Sequence, residues 1–351
     1  MPTLFLGLFF ILIAAVAGGA FGYQYRAMRK YTVENTSLLS MFVATVPVPL
    51  IACSILLPGW SHALAQAGFK TNAIVYAFGF CWGLGAITYA YGFNILGMAL
   101  AASLLKGITV AVGSGGPLIR HWDYIPSLAR TVTIIGLSIL IAGTAFAGRA
   151  GIMREREERL SRPAIDSPEP AAPGGSGRIF WIGLAMCLVS GVISACANLG
   201  YDRADSIQNA MVALGHTNLT WKATLIRWMP MYWGGISALV IFMGGSMLLA
   251  GTWRNYFVAG SRRDFAISSS MGFVHFLAQI PYGIGAYYLG RLGTTVGWGM
   301  NIGMALIVAA SIGLFTGEWR KASQHASRVL YVAIAILVGA IGVLAYANNL
   351  S

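Results

Sequence analysis

The sequence predicts an all-α integral membrane protein of about ten transmembrane helices, set out as two halves of about five helices each in inverted repeat. Three observations predict it: a composition too apolar for water, apolar runs of crossing length, and one charged, Pro/Gly-rich interruption near the middle. Of 351 residues, 57% are hydrophobic and only 10% charged, and the mean hydropathy is +0.70. A soluble chain of this length would still need a polar shell, which 11 acids and 23 bases cannot supply. The shell is therefore lipid. The 44 glycines suit helices that pack by close backbone approach, because lipid offers no hydrophobic drive between them.

A hydrocarbon crossing takes about 20 apolar residues. On that ruler the crossings fall at Leu4 to Gly22, Leu38 to Leu57, Asn72 to Ile95, Met98 to Leu118, Thr131 to Ala147, Ile179 to Gly200, Leu225 to Ala250, Phe265 to Leu289, Thr294 to Phe315 and Val329 to Ala347. Only the glycines around Gly92 and Gly97 divide the third from the fourth, but the combined run is too long for one crossing. The first span lacks a basic leader and is followed by Arg26, Arg29 and Lys30 rather than a cleavage site, so a retained helix is expected.

Residues 149–178 break the pattern. Met153 to Arg159 reads as a short charged helix, and Pro163, Pro168, Pro170 and Gly174 to Gly177 as a flexible linker. The chain thus divides into a first transmembrane half, 1–148, a cytoplasmic linker, 149–178, and a second transmembrane half, 179–351. An odd number of crossings before the linker turns the second half over, so the repeat is inferred from span count and linker position alone.

Lys and Arg gather in alternate loops: Arg26, Arg29 and Lys30; the Arg149 to Arg178 run; Arg254, Arg262 and Arg263; Arg320, Lys321 and Arg328. The intervening loops hold few. The positive-inside rule then puts the linker in the cytoplasm and both termini outside it, in the cell (inner) membrane. The net charge of +12 is explained by this orientation, and no nucleic-acid partner is expected. Oligomeric state is left open.

Cys53, Cys81, Cys187 and Cys196 lie in apolar runs without paired spacing, so neither a disulfide framework nor a zinc site is expected. No Ser/His/Asp cluster, phosphate-cradling loop or metal spacing stands out, so no enzyme, no cofactor and no catalytic residue is expected. The sequon Asn218 to Thr220 matters only in a eukaryotic secretory pathway. What remains is a carrier of a small solute across the lipid bilayer.

None of the acids falls in the middle of an expected span. The exception to apolarity is Lys106, which shares a helical face with Ala102, Ser103, Thr109 and Gly113. An ammonium in lipid is costly, so Lys106 reads as a proton-coupling group or as a substrate-binding one that pairs with a substrate carboxylate; snorkelling to an interface is the structural alternative. His275, Gln279 and Tyr282 form a second polar stripe, beside Pro281. Histidine titrates in the physiological range and could relay protons, or could simply tie two helices together. Arg227, near a span end, reads as snorkelling.

Gly79 to Met98 (GFCWGLGAITYAYGFNILGM) resembles the corresponding span of the L-rhamnose/proton symporter family, within the drug/metabolite transporter superfamily. Gly191 to Ala195, Glu34 after the first basic run, and Gly317-Glu318-Trp319 resemble it as well. The resemblance runs nearly the whole length but rests on soft runs of Gly and aromatics. It implies a proton-driven importer of L-rhamnose or a closely related sugar, with the sugar and protons as partners. It departs at Gly293 to Trp298, which lacks an acid that some members carry before the tryptophan. A drug/metabolite exporter or facilitative carrier of the same superfamily is the alternative.

A sugar is held by stacking its apolar face on an aromatic ring while amides and hydroxyls satisfy its OH groups. Candidate substrate-binding residues are Trp82 and Tyr89, seven apart on one face; Trp298 and Asn301, three apart; Asn198, four after Ser194; and Gln279 with Tyr282. For Trp82 and Trp298 plain packing is an equal alternative. Trp60, Trp122, Trp181, Trp253 and Trp319 read as interfacial anchors.

Overall fold

The computed structural model describes residues 2–20, 27–96, 98–160, 177–215 and 220–351. Arg26, the loop glycine Gly97, the Pro/Gly linker at 161–176 and the sequon at Asn218 lie outside them. Among the described residues the protein is helical throughout, with no strand. Among the described residues seven helical segments are long and apolar enough to cross a membrane, and the longest, Ser261–Phe315, holds two helices that are each of crossing length. The outside of the bundle carries large apolar side chains, among them Ile55 (72% exposed), Leu249 (93%) and Phe315 (88%). An exposed apolar surface of this kind belongs against lipid.

The first helix, α1, runs Pro2–Ala20. A capping box starts α2 (Val33–Thr45): Thr32 Oγ1 accepts from the Asn35 amide at 3.3 Å while Asn35 Oδ1 accepts from the Thr32 amide at 3.2 Å. The expected second span is two pieces, because Pro47 disfavours helical backbone at Val46 and starts α3 (Pro47–Leu56) afresh. A short amphipathic helix, α4 (Trp60–Ala67), follows, then α5 (Phe69–Leu96) and α6 (Met98–Arg120).

The helix α7 (Ser127–Leu160) is 34 residues long and takes in the charged Met153 to Arg159 stretch without a break. That stretch extends the fifth span and docks: Glu155 Oε1 accepts from the Ala99 amide at 2.8 Å, and Arg154 Nη1 lies 3.4 Å from Glu318 Oε2. The second half begins with α8 (Gly177–Arg203) and the short α9 (Asp205–Ala213). Next comes a composite: a 3-10 stretch at Thr220–Arg227, α10 (Trp228–Leu239), five π-helical residues and α11 (Gly245–Ala250). It closes with α12 (Ser261–Leu289), α13 (Gly293–Phe315) and α14 (Gln324–Asn349).

Glycine sets how closely α5 and α10 cross. A Cβ on Gly79 would fall 1.9 Å from the Met231 carbonyl oxygen, and one on Gly234 2.0 Å from that of Tyr76. Small residues on both sides bring backbone against backbone, which is how helices pack without a hydrophobic drive. Ser190 Oγ donates to the Gly85 carbonyl at 3.0 Å, and Thr109 Oγ1 to the Gly191 carbonyl at 3.2 Å, so α5, α6 and α8 are also tied by hydroxyls.

Candidate functional site

A cavity of about 330 Å³ lies within the bundle, at the low end of the volume range of small-ligand pockets. It is bounded by α5, α6, α8, α10, α12 and α13, with Ala17 and Gly18 of α1 and Met41 of α2 at its edge. Trp82, Lys106, His275, Gln279, Trp298 and Asn301 all line it. Three separate polar spacings in the sequence thus converge on one space.

The aromatic walls are held in place by their neighbours. Trp82 stacks on His275 with ring centroids 6.1 Å apart and planes at 17°, and tilts against Tyr232 at 6.4 Å. Gly235 leaves room for the indole: a Cβ there would lie 2.7 Å from Trp82. Trp298 donates from Nε1 to the Thr109 carbonyl at 3.3 Å, an approach that Gly113 permits because a Cβ there would meet Nε1 at 2.4 Å. Both rings are therefore fixed before any ligand arrives. Asn301 Oδ1 and Tyr232 Oη have no hydrogen-bond partner among the described residues. Buried polar atoms are normally satisfied, so these lining side chains suit a hydroxylated ligand.

Asn198 and Tyr282 stand outside the cavity lining. Asn198 is fully buried; its amide donates to the Gly113 and Thr294 carbonyls at 2.8 Å each, and its Oδ1 accepts from the Tyr282 hydroxyl. The pair ties α6, α8, α12 and α13 together beside the site. The Tyr89 side chain lies outside the described residues.

A second cavity, of about 510 Å³, lies at the end of the bundle where α6, α8, α12 and α13 meet their loops. At its floor is Asp202, only 4% exposed. Its carboxylate accepts from Arg120 Nη1 at 2.8 Å and from Thr294 Oγ1 at 2.7 Å, and His121 Nε2 stands 3.2 Å away. Arg120 also reaches Asp205 at 3.0 Å. Arg227 lines this cavity too, donating from Nε to Gln208 Oε1 at 2.5 Å, which replaces the expected snorkelling arginine with a fixed one. Packed rings part the two cavities: Tyr201 of the end cavity lies 4.5 Å from Trp228 of the mid-bundle one, and Tyr282 contacts Tyr201 and Trp298 edge-on at 5.6 and 5.4 Å.

Sequence reasoning passed over Asp202, Arg120, His121, Trp228 and Tyr232. The signal for Asp202 was available: Ser194, Asn198 and Asp202 are four apart, one polar stripe that continues past the apolar run.

The sequence model of one protein family, described as L-rhamnose-proton symport protein (RhaT), matches residues 2–350. The chain belongs to this family. An L-rhamnose-proton symporter of Escherichia coli (strain K12 / DH10B) is 21% identical to it, over 95% of each chain. One from Citrobacter koseri is 22% identical over 95% of each, and one from Cronobacter sakazakii 21% identical over 95% of this chain and 94% of its own. The family is one of symport proteins rather than enzymes.

Proposed function

We propose that the chain is a secondary active transporter that imports L-rhamnose or a closely related sugar with protons across the inner membrane, by alternating access. The observation that carries this reading is the full-length family match combined with a cavity that offers two fixed indoles, two amides and two ionisable groups in one place. Trp82 and Trp298 supply stacking faces, Gln279 and Asn301 the hydroxyl partners, and Lys106 and His275 the groups that could answer to a proton or a charge.

The inverted repeat is supported by the way the helices pair. Exchanging the halves turns α5 against α8 into α12 against α1, α6 against α8 into α13 against α1, α5 against α10 into α12 against α2, and α6 against α7 into α13 against α14. All of these contacts are made, and the α7–α14 and α6–α13 contacts map onto themselves. A two-fold exchange of this kind lets one set of contacts form as its mate opens. By the charge rule the end cavity faces outward, so Asp202, Arg120 and the ring layer close the outer side here.

The test is counterflow. Purified protein in proteoliposomes preloaded with unlabelled sugar exchanges labelled sugar from outside; absence of exchange for every sugar tried, with exchange of another metabolite class, overturns the reading.

A further inference from the structure

Lys106 lines the mid-bundle cavity, and among the described residues no acidic side chain does. The buried or bonded acids are engaged elsewhere. Asp202 and Asp205 hold Arg120; Asp264 accepts from the amides of Arg29, Lys30 and Tyr31; Glu155 caps α6; Glu157 accepts from the Ser323 amide; and Glu318 pairs with Arg154. The Lys106 side chain thus faces the ligand space with no protein carboxylate lining it among the described residues, and its protonated form there calls for an anionic partner. A wholly neutral sugar gives it no partner, and the indoles and amides already suffice to hold ring and hydroxyls.

We infer that the substrate is a monosaccharide bearing a carboxylate, a hexuronate, whose carboxylate pairs with Lys106 while its ring lies against Trp82 or Trp298. The inference rests on the reading of the chain as a sugar carrier and narrows the sugar class. A uronate of the same ring configuration differs from a 6-deoxy sugar only in carrying a carboxylate where the latter carries a methyl, so the same ring contacts serve both and Lys106 discriminates between them. The charge-assisted hydrogen bond formed is stronger than any neutral one the cavity offers, and it gives a partner to the one lysine among the described residues that line it. His275, on α12 and stacked on Trp82, is then left for the proton.

The full chain, wild type, Lys106→Gln and Lys106→Arg, is reconstituted in proteoliposomes, with thermal melts to establish folding. Exchange of labelled L-rhamnose is measured against a panel of L-mannuronate, which shares its ring configuration, D-galacturonate, D-glucuronate and D-mannuronate. The expected result is that one uronate outcompetes rhamnose by about thirtyfold or more, as removing one partner of a buried charge pair implies. Lys106→Gln loses that preference, its uronate exchange falling about thirtyfold relative to its rhamnose exchange, and Lys106→Arg keeps it. Rhamnose exchange that no uronate inhibits overturns the inference and leaves the sugar carrier standing. A preference unchanged by Lys106→Gln, or equal loss of both sugars in a folded variant, overturns it as well. No exchange of any sugar removes the carrier reading itself, and the inference with it.

Discussion

Two asparagines show how residue-scale roles separate. Asn198 satisfies two buried carbonyls and a tyrosine hydroxyl, whereas Asn301 lines a cavity with an unengaged oxygen. Asn198→Ala is expected to cost about 3 kcal/mol of stability or more, seen as a lowered melting temperature, because each orphaned buried group carries its own penalty. Asn301→Ala leaves the melt nearly unchanged and weakens sugar binding about tenfold, read by ligand-induced thermal stabilisation. Equal effects in both assays would merge the two roles. Asp202 and Asp205 give a second contrast, with side chains 6% and 36% exposed on the same Arg120. Asp202→Asn is expected to lower stability by about 1 to 3 kcal/mol, and Asp205→Asn by less than about 1, since solvent screens the second pair. Helical spacing alone placed Trp82, Lys106, His275, Gln279, Trp298 and Asn301 on faces that meet at one cavity. The same spacing could not tell Asn198 from Asn301, because periodicity gives the face a residue is on but not the neighbour it meets. Asp202 was hidden for another reason: it sits just past the apolar run, where an acid reads as solvated, yet it is buried against Arg120, His121 and Thr294.

At the scale of elements, long apolar runs were legible in the sequence because a membrane imposes both length and polarity on them. The short helices α4 and α9 were not, being amphipathic and too short to cross. Nor was the continuation of α7, since a run of Arg and Glu is equally at home in a linker and in a helix whose end docks on neighbours. The crossing of α5 with α10 depends on glycine, and this gives a sharp prediction. Gly79→Val forces a side chain into the Met231 carbonyl and is expected to abolish monodisperse folded protein. Gly107→Ala, with nothing within 4 Å of the added carbon, is expected to melt with wild type. Size-exclusion profiles and melts of the two variants read the outcome, and a stable Gly79→Val would contradict the packing described.

At the scale of the molecule, the family match makes the chain a member of a symport family, and the paired contacts between halves fit the proposed exchange of one set of interfaces for another. The charge distribution adds a direction. Single cysteines introduced at position 170 and at the two termini are expected to differ in labelling by a membrane-impermeant maleimide added to intact cells. The termini label and the linker does not. The reverse pattern would invert the orientation without touching the fold.

The claim at the centre is that a sugar and a proton move together through the mid-bundle cavity. Uptake of the exchanged sugar into proteoliposomes under an imposed inward proton gradient tests it most directly. The expected result is accumulation above the external concentration that a protonophore collapses. Uptake that stops at equal concentrations and ignores the gradient would contradict it.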